Sequence, residues 1–420
     1  MRSTVTDVTC SFCGLHCDDL TIQTDGATAQ VVENGCAWAK TGFAQPAAPV
    51  SPCIGQRPCT LDQAVQRAGQ ILKESNQPLI AGLATDAAGC RAAMALAEKT
   101  GAAVDHMHGN ALSSGALVLQ RRGWIMTTLT ELRNRADLVV LFGTDGNSVN
   151  PRFVERCLRP APALGRGRTR PRQVVFIGAE SQGRSLKKAL PSAVTIPCRR
   201  AELLDMLSAL RAEMNGRSDL TKSQRLPART LAALKKLAGQ LRAAQYAVCV
   251  WATGQLLPEQ ADIVIETICD LVTTLNETTR AAGLALGGSD GALTAMNVCT
   301  WQTGYPLRVN FAGGAPDYNP SRNSTDSLLQ RREADALLWI STFQPLPPPK
   351  SKPIPTIILA PPSRRLALLA DVYIPVAIPG VDSSGTILRL DSVVGLPLRQ
   401  LRTSNLPSAT DVLQRIMARS

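Results

Sequence analysis

The chain has 420 residues and a formal net charge of +12, from 45 Lys and Arg residues against 33 Asp and Glu residues. This length leaves room for two or three domains with a sizeable apolar core, so the bulk of the fold needs neither disulfides nor a metal. Aromatic residues make up only 4% of the chain and the basic residues are spread along it, which argues against a nucleic-acid-binding protein. No apolar stretch reaches the ~18 residues of a membrane-spanning helix, which argues against a membrane protein.

Polar sequence follows Met1 directly, without the apolar segment of a secretory signal. We therefore expect a protein of the reducing cytoplasm, in which scattered cysteines are ordinary thiols rather than a disulfide framework. This expectation covers the eight cysteines after residue 50, which are Cys53, Cys59, Cys90, Cys157, Cys198, Cys249, Cys269 and Cys299.

The other four cysteines lie near the N-terminus in the spacing C-x2-C-x3-C-x18-C. Four thiolates are the usual ligands of one iron–sulfur cubane, and three thiols within one loop can bind three corners while a distant fourth completes the set. The pattern predicts a 4Fe-4S cluster as metal and cofactor site. Zinc is an alternative, although its sites usually combine two C-x2-C-like pairs; a third interpretation is four buried thiols without a metal. The predicted ligands are Cys10, Cys13, Cys17 and Cys36.

Residues 3–55 are predicted to form a small β-rich unit. An alternating apolar–polar stretch over 20–23 precedes Asp25-Gly26, and a second strand-like stretch over 30–32 follows it; the dipeptide suits a two-residue hairpin loop. A proline-rich connector over 45–58 follows this unit.

From Thr60 onward, helical and strand patterns alternate. Thr60 is a good N-cap for the first helix, and further helices are predicted over 86–99 and 258–275. The strand segments are apolar throughout, as in strands buried on both faces of a parallel sheet. These predicted strands are 79–83, 101–105, 136–143, 173–178, 246–251, 334–340 and 356–359.

The expected fold class is therefore open α/β, with ligands at the carboxyl ends of the strands. The candidate strand ends are 84–86, 105–114, 143–145 and 251–255. The glycines over 283–291 predict a flexible loop, either a plain turn or an anion site. Proline-rich breaks and pattern changes suggest four segments: a cysteine-rich lobe (1–55), a first α/β domain (56–240), a second α/β domain (241–345) and a β-rich C-terminal segment (346–420).

The densest basic run spans 156–172 and contains Arg156, Arg159, Arg166, Arg168 and Arg170. Such a run is typical of a solvated loop, and it also suits contact with an acidic partner subunit or an anionic ligand.

Several stretches resemble the B subunit of formylmethanofuran dehydrogenase. The resemblance covers nearly the whole chain and implies molybdopterin-oxidoreductase-like parallel-sheet domains, as in formate dehydrogenase and DMSO reductase, behind a small cysteine lobe. Its cysteine motif is shared with many cluster enzymes, whereas the later stretches look specific to this family. The stretches are 10–19, 134–143, 150–152, 303–306, 317–320, 333–335, 378–382 and 385–386.

One departure from that family concerns its metal site. The resemblance implies a Cys–His pair in the loop after the strand that ends at Asp105, and the Cys coordinates tungsten or molybdenum. Counted from Asp105, this pair falls on Ala111 and Leu112. His106 and His108 come several residues too early, and we expect them to be solvated or hydrogen-bonded loop residues rather than metal ligands.

Loss of the metal thiolate resembles the formyltransferase/hydrolase complex of methylotrophs. That family moves a formyl group from tetrahydromethanopterin to methanofuran and releases formate, in the oxidation of formaldehyde to formate. The resemblance implies a cytoplasmic, non-redox scaffold subunit with no catalytic residue and no molybdopterin or tungstopterin. The implied partners are amidohydrolase-like, formyltransferase-like and β-helical subunits.

Two alternatives stay open. One is an active molybdo- or tungstopterin formylmethanofuran dehydrogenase subunit with an altered metal shell, and the other is a non-catalytic assembly module with a pterin-enzyme fold.

Overall fold

The computed structural model describes residues 3–46, 50–165, 171–217 and 226–420. Its strands in chain order are β1 Ser3–Val8, β2 Leu20–Thr24, β3 Ala29–Glu33, β4 Cys53–Ile54, β5 Arg57–Pro58, β6 Pro78–Ala84, β7 Ala103–Val104, β8 Leu138–Phe142, β9 Gln173–Gly178, β10 Val194–Pro197, β11 Tyr246–Ala252, β12 Arg280–Leu286, β13 Val309–Asn310, β14 Asp317–Tyr318, β15 Ala336–Ser341, β16 Thr356–Ala360, β17 Val372–Pro375, β18 Gly385–Leu388 and β19 Gly395–Leu398.

The helices are α1 Ala37–Phe43, α2 Leu61–Glu74, α3 Ala87–Thr100, α4 Gly109–Arg122, α5 Leu129–Arg135, α6 Glu180–Ala189, α7 Leu203–Met214, α8 Ala228–Ala243, α9 Ala261–Leu275, α10 Ala292–Thr303, α11 Thr325–Gln330, α12 Arg364–Ala367 and α13 Ala409–Met417. A π turn covers Val154–Leu158, and 3-10 turns cover Arg200–Glu202, Thr253–Gln255 and Ser289–Gly291. Over the described ranges, no helix is both long and apolar enough to cross a lipid bilayer.

The chain divides into two compact units. The first unit combines Met1–Gly109 with Gly288–Ser420, and the second is the intervening stretch Asn110–Gly287. The first unit is therefore assembled from two separate parts of the chain. The four contiguous segments predicted from the sequence are a finer division and stay a prediction.

A nine-stranded mixed sheet forms the main sheet of the described part of the first unit, in the order β14-β13-β7-β6-β15-β16-β17-β4-β5. Its centre is parallel, because β6, β7, β15, β16 and β17 all run in the same direction, while the outer strands are antiparallel. The seven residues of β6 are all buried, as expected for an apolar strand covered on both faces. The parallel-sheet prediction is confirmed here.

The first helix on this sheet begins at the predicted cap, and the second begins at a cap that was not predicted. The Thr60 side chain accepts a hydrogen bond from the main-chain N–H of Gln63, and the Gln63 side chain accepts from the N–H of Thr60, which is a capping box at the start of α2. Asp86 caps α3 through the N–H of Gly89.

Strands β1, β2 and β3 form a separate antiparallel sheet within the first unit. The hairpin between β2 and β3 is confirmed, but the prediction of a two-residue loop was wrong. Thr24 pairs with Ala29, so the loop has four residues. The Asp25 carboxylate accepts hydrogen bonds from the N–H and hydroxyl of Thr28, and this local bonding favours the longer turn.

The second unit contains a five-stranded parallel sheet in the order β10-β9-β8-β11-β12. In chain order this is the doubly wound arrangement, in which the strand order reverses between β8 and β11. Apolar residues of α7, α8 and α9 pack with the strands in one buried cluster.

The basic run over 156–172 is only partly a surface feature. Arg166, Arg168 and Arg170 lie outside the described residues. Arg172 is 8% exposed, and its guanidinium donates to main-chain carbonyls near the ends of α5 and of the π turn, including those of Ala136 and Leu158. Burial lowers the pKa of Arg172 to about 10. The assignment of this arginine to a solvated or partner-binding run was therefore wrong, because it is a buried structural cation.

Candidate functional site

The first three N-terminal cysteines lie on the turn between β1 and β2. The main-chain N–H of Cys10 donates to the carbonyl of Cys17 at 2.8 Å, which closes the turn. Cys10, Cys13 and Cys17 are each 5% exposed or less. Cys36 is half-buried at the start of α1, where its Sγ accepts from the N–H of Ala39 at 3.5 Å. The sequence therefore folds four thiols into two neighbouring elements of the first unit.

Burial raises the pKa of the Cys10 thiol well above its usual value, and Cys13, Cys17 and Cys36 raise it further through charge repulsion. The other three thiols therefore all act on the charge of Cys10. Buried thiolates such as those of Cys10, Cys13 and Cys17 are stable only beside positive charge, which a metal centre supplies. The donor set, sulfur only, is the set that iron–sulfur clusters use.

His16 lies within this turn and was not singled out by sequence reasoning. Its backbone is left-handed, with a φ of 42°, and its Nδ1 donates to the Cys10 carbonyl at 3.0 Å. Its Nε2 is buried and has no hydrogen-bond partner among the described residues. Burial lowers the pKa of His16 to about 4, with a further contribution from Arg389. The imidazole is therefore neutral at physiological pH.

No disulfide bond joins any of the twelve cysteines, all of which lie within the described residues. Over residues 3–46, 50–165, 171–217 and 226–420, no group of three or more His, Cys, Asp or Glu side chains is arranged to hold a metal ion. The predicted ligation by Cys10, Cys13, Cys17 and Cys36 stays a prediction.

The carboxyl end of β7 contains a buried carboxylate. Asp105 is 2% exposed; one carboxylate oxygen accepts from the N–H and hydroxyl of Thr325 at 2.8 and 3.0 Å, and the other lies 3.4 Å from Nε of Arg308. Burial raises the pKa of Asp105, whereas Arg308 lowers it. Arg308 also donates to the carbonyl of Pro320 at 2.6 Å. Asp105 thus holds the 308–325 segment against the strand end.

The two histidines after Asp105 are hydrogen-bonded loop residues, as predicted. His106 Nδ1 accepts from the N–H of His108 at 3.0 Å, so its Nε2 carries the proton and donates to the Asp290 carbonyl at 3.1 Å. His108 Nε2 lies 2.8 Å from the Asp290 carboxylate, with 44% of the His108 side chain exposed. Burial lowers the pKa of His106 to about 4. One histidine is therefore a neutral structural group, and the other is half-exposed beside a carboxylate.

Only the second half of the glycine-rich stretch over 283–291 lies outside a strand, whereas the sequence predicted a loop throughout. Its first residues belong to strand β12, Arg280–Leu286. Gly291 has a φ of 70°, and a Cβ there would lie 2.7 Å from the carbonyl oxygen of Thr85. Asp290 also has a positive φ, of 56°. Glycine at 291 is required because the chain passes close to the end of β6.

In the second unit, the loops after β8 and β11 lie at the point where the strand order reverses. The Gln255 side chain donates to the Ser148 hydroxyl at 2.8 Å, and the N–H of Ser148 donates to the Asp145 carboxylate at 2.9 Å. Asn150 exchanges two hydrogen bonds with the main chain of Gly287. These loops therefore hydrogen-bond to one another, although the buried Oε1 of Gln255 has no hydrogen-bond partner among the described residues.

Ala111 and Leu112 lie in the first turn of α4 and are half-buried. Neither side chain offers a lone pair to a metal or a titratable proton.

Other stretches that suggested the family meet in the first unit. Tyr305 and Tyr318, from two different stretches, stack with ring centroids 5.2 Å apart and an interplanar angle of 10°. Asp382 forms a buried ion pair with Arg402. Asp335 accepts hydrogen bonds from the main chain before β6.

No family model matches the chain. Among curated proteins, it is 28% identical to the B subunit of the tungsten-containing formylmethanofuran dehydrogenase 2 of Methanocaldococcus jannaschii, over 94% of this chain and 93% of that protein. It is 25% identical to the protein of the same name from Methanococcus maripaludis, over 92% of both chains. It is 28% identical to the B subunit of the formyltransferase/hydrolase complex of Methylorubrum extorquens, over 78% of this chain and 85% of that protein.

The chain is homologous to the B subunit of formylmethanofuran dehydrogenase. A solved structure supports the same relationship. The crystal structure of the formyltransferase/hydrolase complex of Methylorubrum extorquens with methylofuran contains a chain with a TM-score of 0.74 and 26% identity, over 88% of this chain and 98% of that one. Acetylene hydratase from Pelobacter acetylenicus has a TM-score of 0.64 over 99% of this chain at 13% identity, which shows a shared fold only. The expected relationship to this family is thus confirmed, and the α/β fold with parallel sheets is shared with both solved structures.

Proposed function

We propose that this chain is the B subunit of a formyltransferase/hydrolase-type complex in one-carbon metabolism. In this role it is a non-redox scaffold, and the formyl transfer and hydrolysis that convert formaldehyde-derived carbon to formate take place on other subunits. The relationship to the B subunit of the Methylorubrum extorquens complex supports the assignment, in sequence and in structure.

The observation that carries the scaffold role is the residue pair Ala111-Leu112. The formylmethanofuran dehydrogenase family places a metal-binding Cys and a His in the loop after the strand that here ends at Asp105. A methyl group and an isobutyl group at the start of α4 supply neither a metal ligand nor a proton carrier.

The polar loops of the second unit also support the absence of a pterin. A dinucleotide bound where the strand order reverses needs main-chain and side-chain donors directed at its phosphates. Here Gln255 donates to the hydroxyl of Ser148, and Ser148 donates to Asp145, a carboxylate that would repel a phosphate. No molybdopterin or tungstopterin is therefore part of this proposal.

The proposal includes a 4Fe-4S cluster bound by the four N-terminal cysteines. Such a cluster would stabilise the turn around Cys10 and the start of α1, because metal-binding free energy is also folding free energy. The proposed setting is the cytoplasm, with amidohydrolase-like, formyltransferase-like and β-helical subunits as partners.

The test is the metal content and redox activity of the complex purified under anaerobic conditions. We expect iron and acid-labile sulfide in near-equal amounts, no molybdenum or tungsten, and no reduction of a viologen dye by formylmethanofuran. The same preparation should release formate from the formyl donor, which shows that the complex is intact. Dye reduction dependent on formylmethanofuran would contradict the scaffold role, and zinc as the sole metal would contradict the cluster.

A working formylmethanofuran dehydrogenase subunit is the second candidate. It is favoured by the relationship to the Methanocaldococcus jannaschii tungsten protein, which covers more of the chain than the match to the Methylorubrum extorquens sequence. Stoichiometric tungsten or molybdenum in the purified complex would favour this candidate. A third candidate, an assembly module, is favoured if the chain co-purifies with no amidohydrolase-like subunit.

A further inference from the structure

The segment between β16 and β17 presents two adjacent leucines to solvent. Leu368 is 63% exposed and Leu369 is 52% exposed. Arg364 and Arg365, one helical turn earlier on α12, are exposed as well. We call these four residues the basic leucine surface.

The main chain holds this surface in a fixed shape. The hydroxyl of buried Tyr373 accepts from the N–H of Ser363 at 2.9 Å and donates to the carbonyl of Pro361 at 2.6 Å. Leu366 is fully buried in the apolar cluster beneath, and the N–H of Leu369 donates to its carbonyl at 3.0 Å. The leucines are therefore exposed on an ordered backbone, which lowers the entropy cost of binding a partner.

The charge around the leucines is positive. The neighbouring hairpin β4–β5 is attached through the N–H of Gly55, which donates to the carbonyl of Asp371 at 2.9 Å, and it adds the exposed Arg57. The carboxylate of Asp371 is engaged with the main chain, because it accepts from the N–H of Thr356 at 2.8 Å. Two exposed arginines thus precede the leucines on α12, a third lies on the attached hairpin, and the carboxylate of Asp371 accepts a main-chain hydrogen bond.

An apolar centre with an arginine rim suits an acidic protein surface. Carboxylates bind guanidinium groups through paired, charge-assisted hydrogen bonds, and apolar contacts at the centre of an interface supply much of its affinity. A lipid bilayer fits less well, since α12 has four residues and interfacial membrane helices present a long apolar face.

We propose that the basic leucine surface binds an acidic, apolar-centred face of another subunit of the complex. This inference rests on the proposed function, because it needs a hetero-oligomer. It places the acidic partner at α12 rather than at the arginine-rich stretch over 156–172.

The test compares two double variants with two matched controls in binding to the other subunits of the complex. L368D/L369D removes the apolar centre, and R364E/R365E reverses the rim. Val393→Asp is the control for the leucines, as Val393 is 59% exposed on the turn between β18 and β19. Arg91→Glu, at an exposed position on α3, is the control for the arginines.

We expect each double variant to raise the Kd at least tenfold and the controls to leave it unchanged. The thermal midpoint of each variant should stay close to that of the wild type. The wild-type affinity should fall as salt rises, and R364E/R365E should lose most of that dependence. Double variants that bind the other subunits like the wild type would overturn the proposal. It would also be overturned if the double variants kept subunit binding and lost only the binding of the wild type to phosphatidylcholine–phosphatidylserine vesicles. If the wild type binds none of the subunits, the proposed function itself is wrong.

Discussion

At the scale of single residues, the buried polar groups at the strand ends of the first unit depend on one another. Asp105, His106 and Asp290 are all buried or nearly so, and each has identified hydrogen-bond partners. A buried polar group costs free energy unless it is paired. These residues therefore stabilise the fold only as a set.

The ion pair between Asp105 and Arg308 gives the first prediction. Asp105→Asn removes the buried negative charge that pairs with the guanidinium of Arg308, whose side chain is 8% exposed. Removing one partner of a buried pair costs about 3–5 kcal/mol, and we expect a loss of this size in the free energy of unfolding measured with urea. The control is Asp62→Asn, where the side chain is 91% exposed and the expected change is within about 0.5 kcal/mol. Equal losses at the two positions would refute a special role for the buried pair.

His106 gives a second prediction, on pH. Its pKa in the folded protein is about 4, against ~6.5 in an unfolded chain. Between these values the unfolded state binds the proton and the folded state does not, so stability falls as the pH drops from ~6.5 towards ~4. His106→Gln, which offers an acceptor and a donor without a titratable group, should reduce this pH dependence. The measurement is urea unfolding at several pH values, and an unchanged pH profile in the variant would contradict the assignment.

At the scale of secondary structure, apolar runs were easier to predict than loops. Strand β9 was predicted with its observed limits, because a short apolar run between turn residues is typical of a buried strand. Strands β10 and β12 were missed: the first has only four residues, and the second is rich in Ala and Gly, residues with weak strand preference. Burial of Arg172 could not be predicted, since its partners are carbonyls from distant turns.

Two glycine positions allow a prediction about loop packing. Gly291→Ala adds a Cβ 2.7 Å from the Thr85 carbonyl at a φ of 70°, whereas Gly26→Ala at a φ of 86° meets nothing within 4 Å. Both variants carry the backbone cost of a left-handed residue, about 1–2 kcal/mol. Only Gly291→Ala adds a clash, so it should lower the free energy of unfolding by about 1–3 kcal/mol more. Similar losses in thermal unfolding for the two variants would mean that the loop moves to admit the methyl group.

At the scale of the whole molecule, the division into units was harder to predict than the class of fold. Sequence patterns could indicate α/β architecture, yet they could not show that the first unit combines two distant stretches, because contiguous segments are all that a linear pattern reveals. The candidate site was predictable in part. The spacing of the four cysteines could be recognised in the sequence. His16 and Asp290 belong to no sequence pattern, and their roles follow only from their contacts in the fold.

The last prediction concerns assembly. Trp301 is 65% exposed and Leu368 is 63% exposed, and the chain carries a net charge of +12; from these features we infer that the proposed partners are acidic. A partner that binds only the folded chain stabilises it by mass action. We therefore expect poor solubility when the chain is expressed alone and recovery on co-expression with the amidohydrolase-like subunit, measured as the soluble fraction and by size-exclusion chromatography. Co-expression with an unrelated acidic protein is the control and should give no recovery. A soluble, monodisperse monomer without affinity for the other subunits would contradict the scaffold role, because a scaffold acts only through the subunits that it binds.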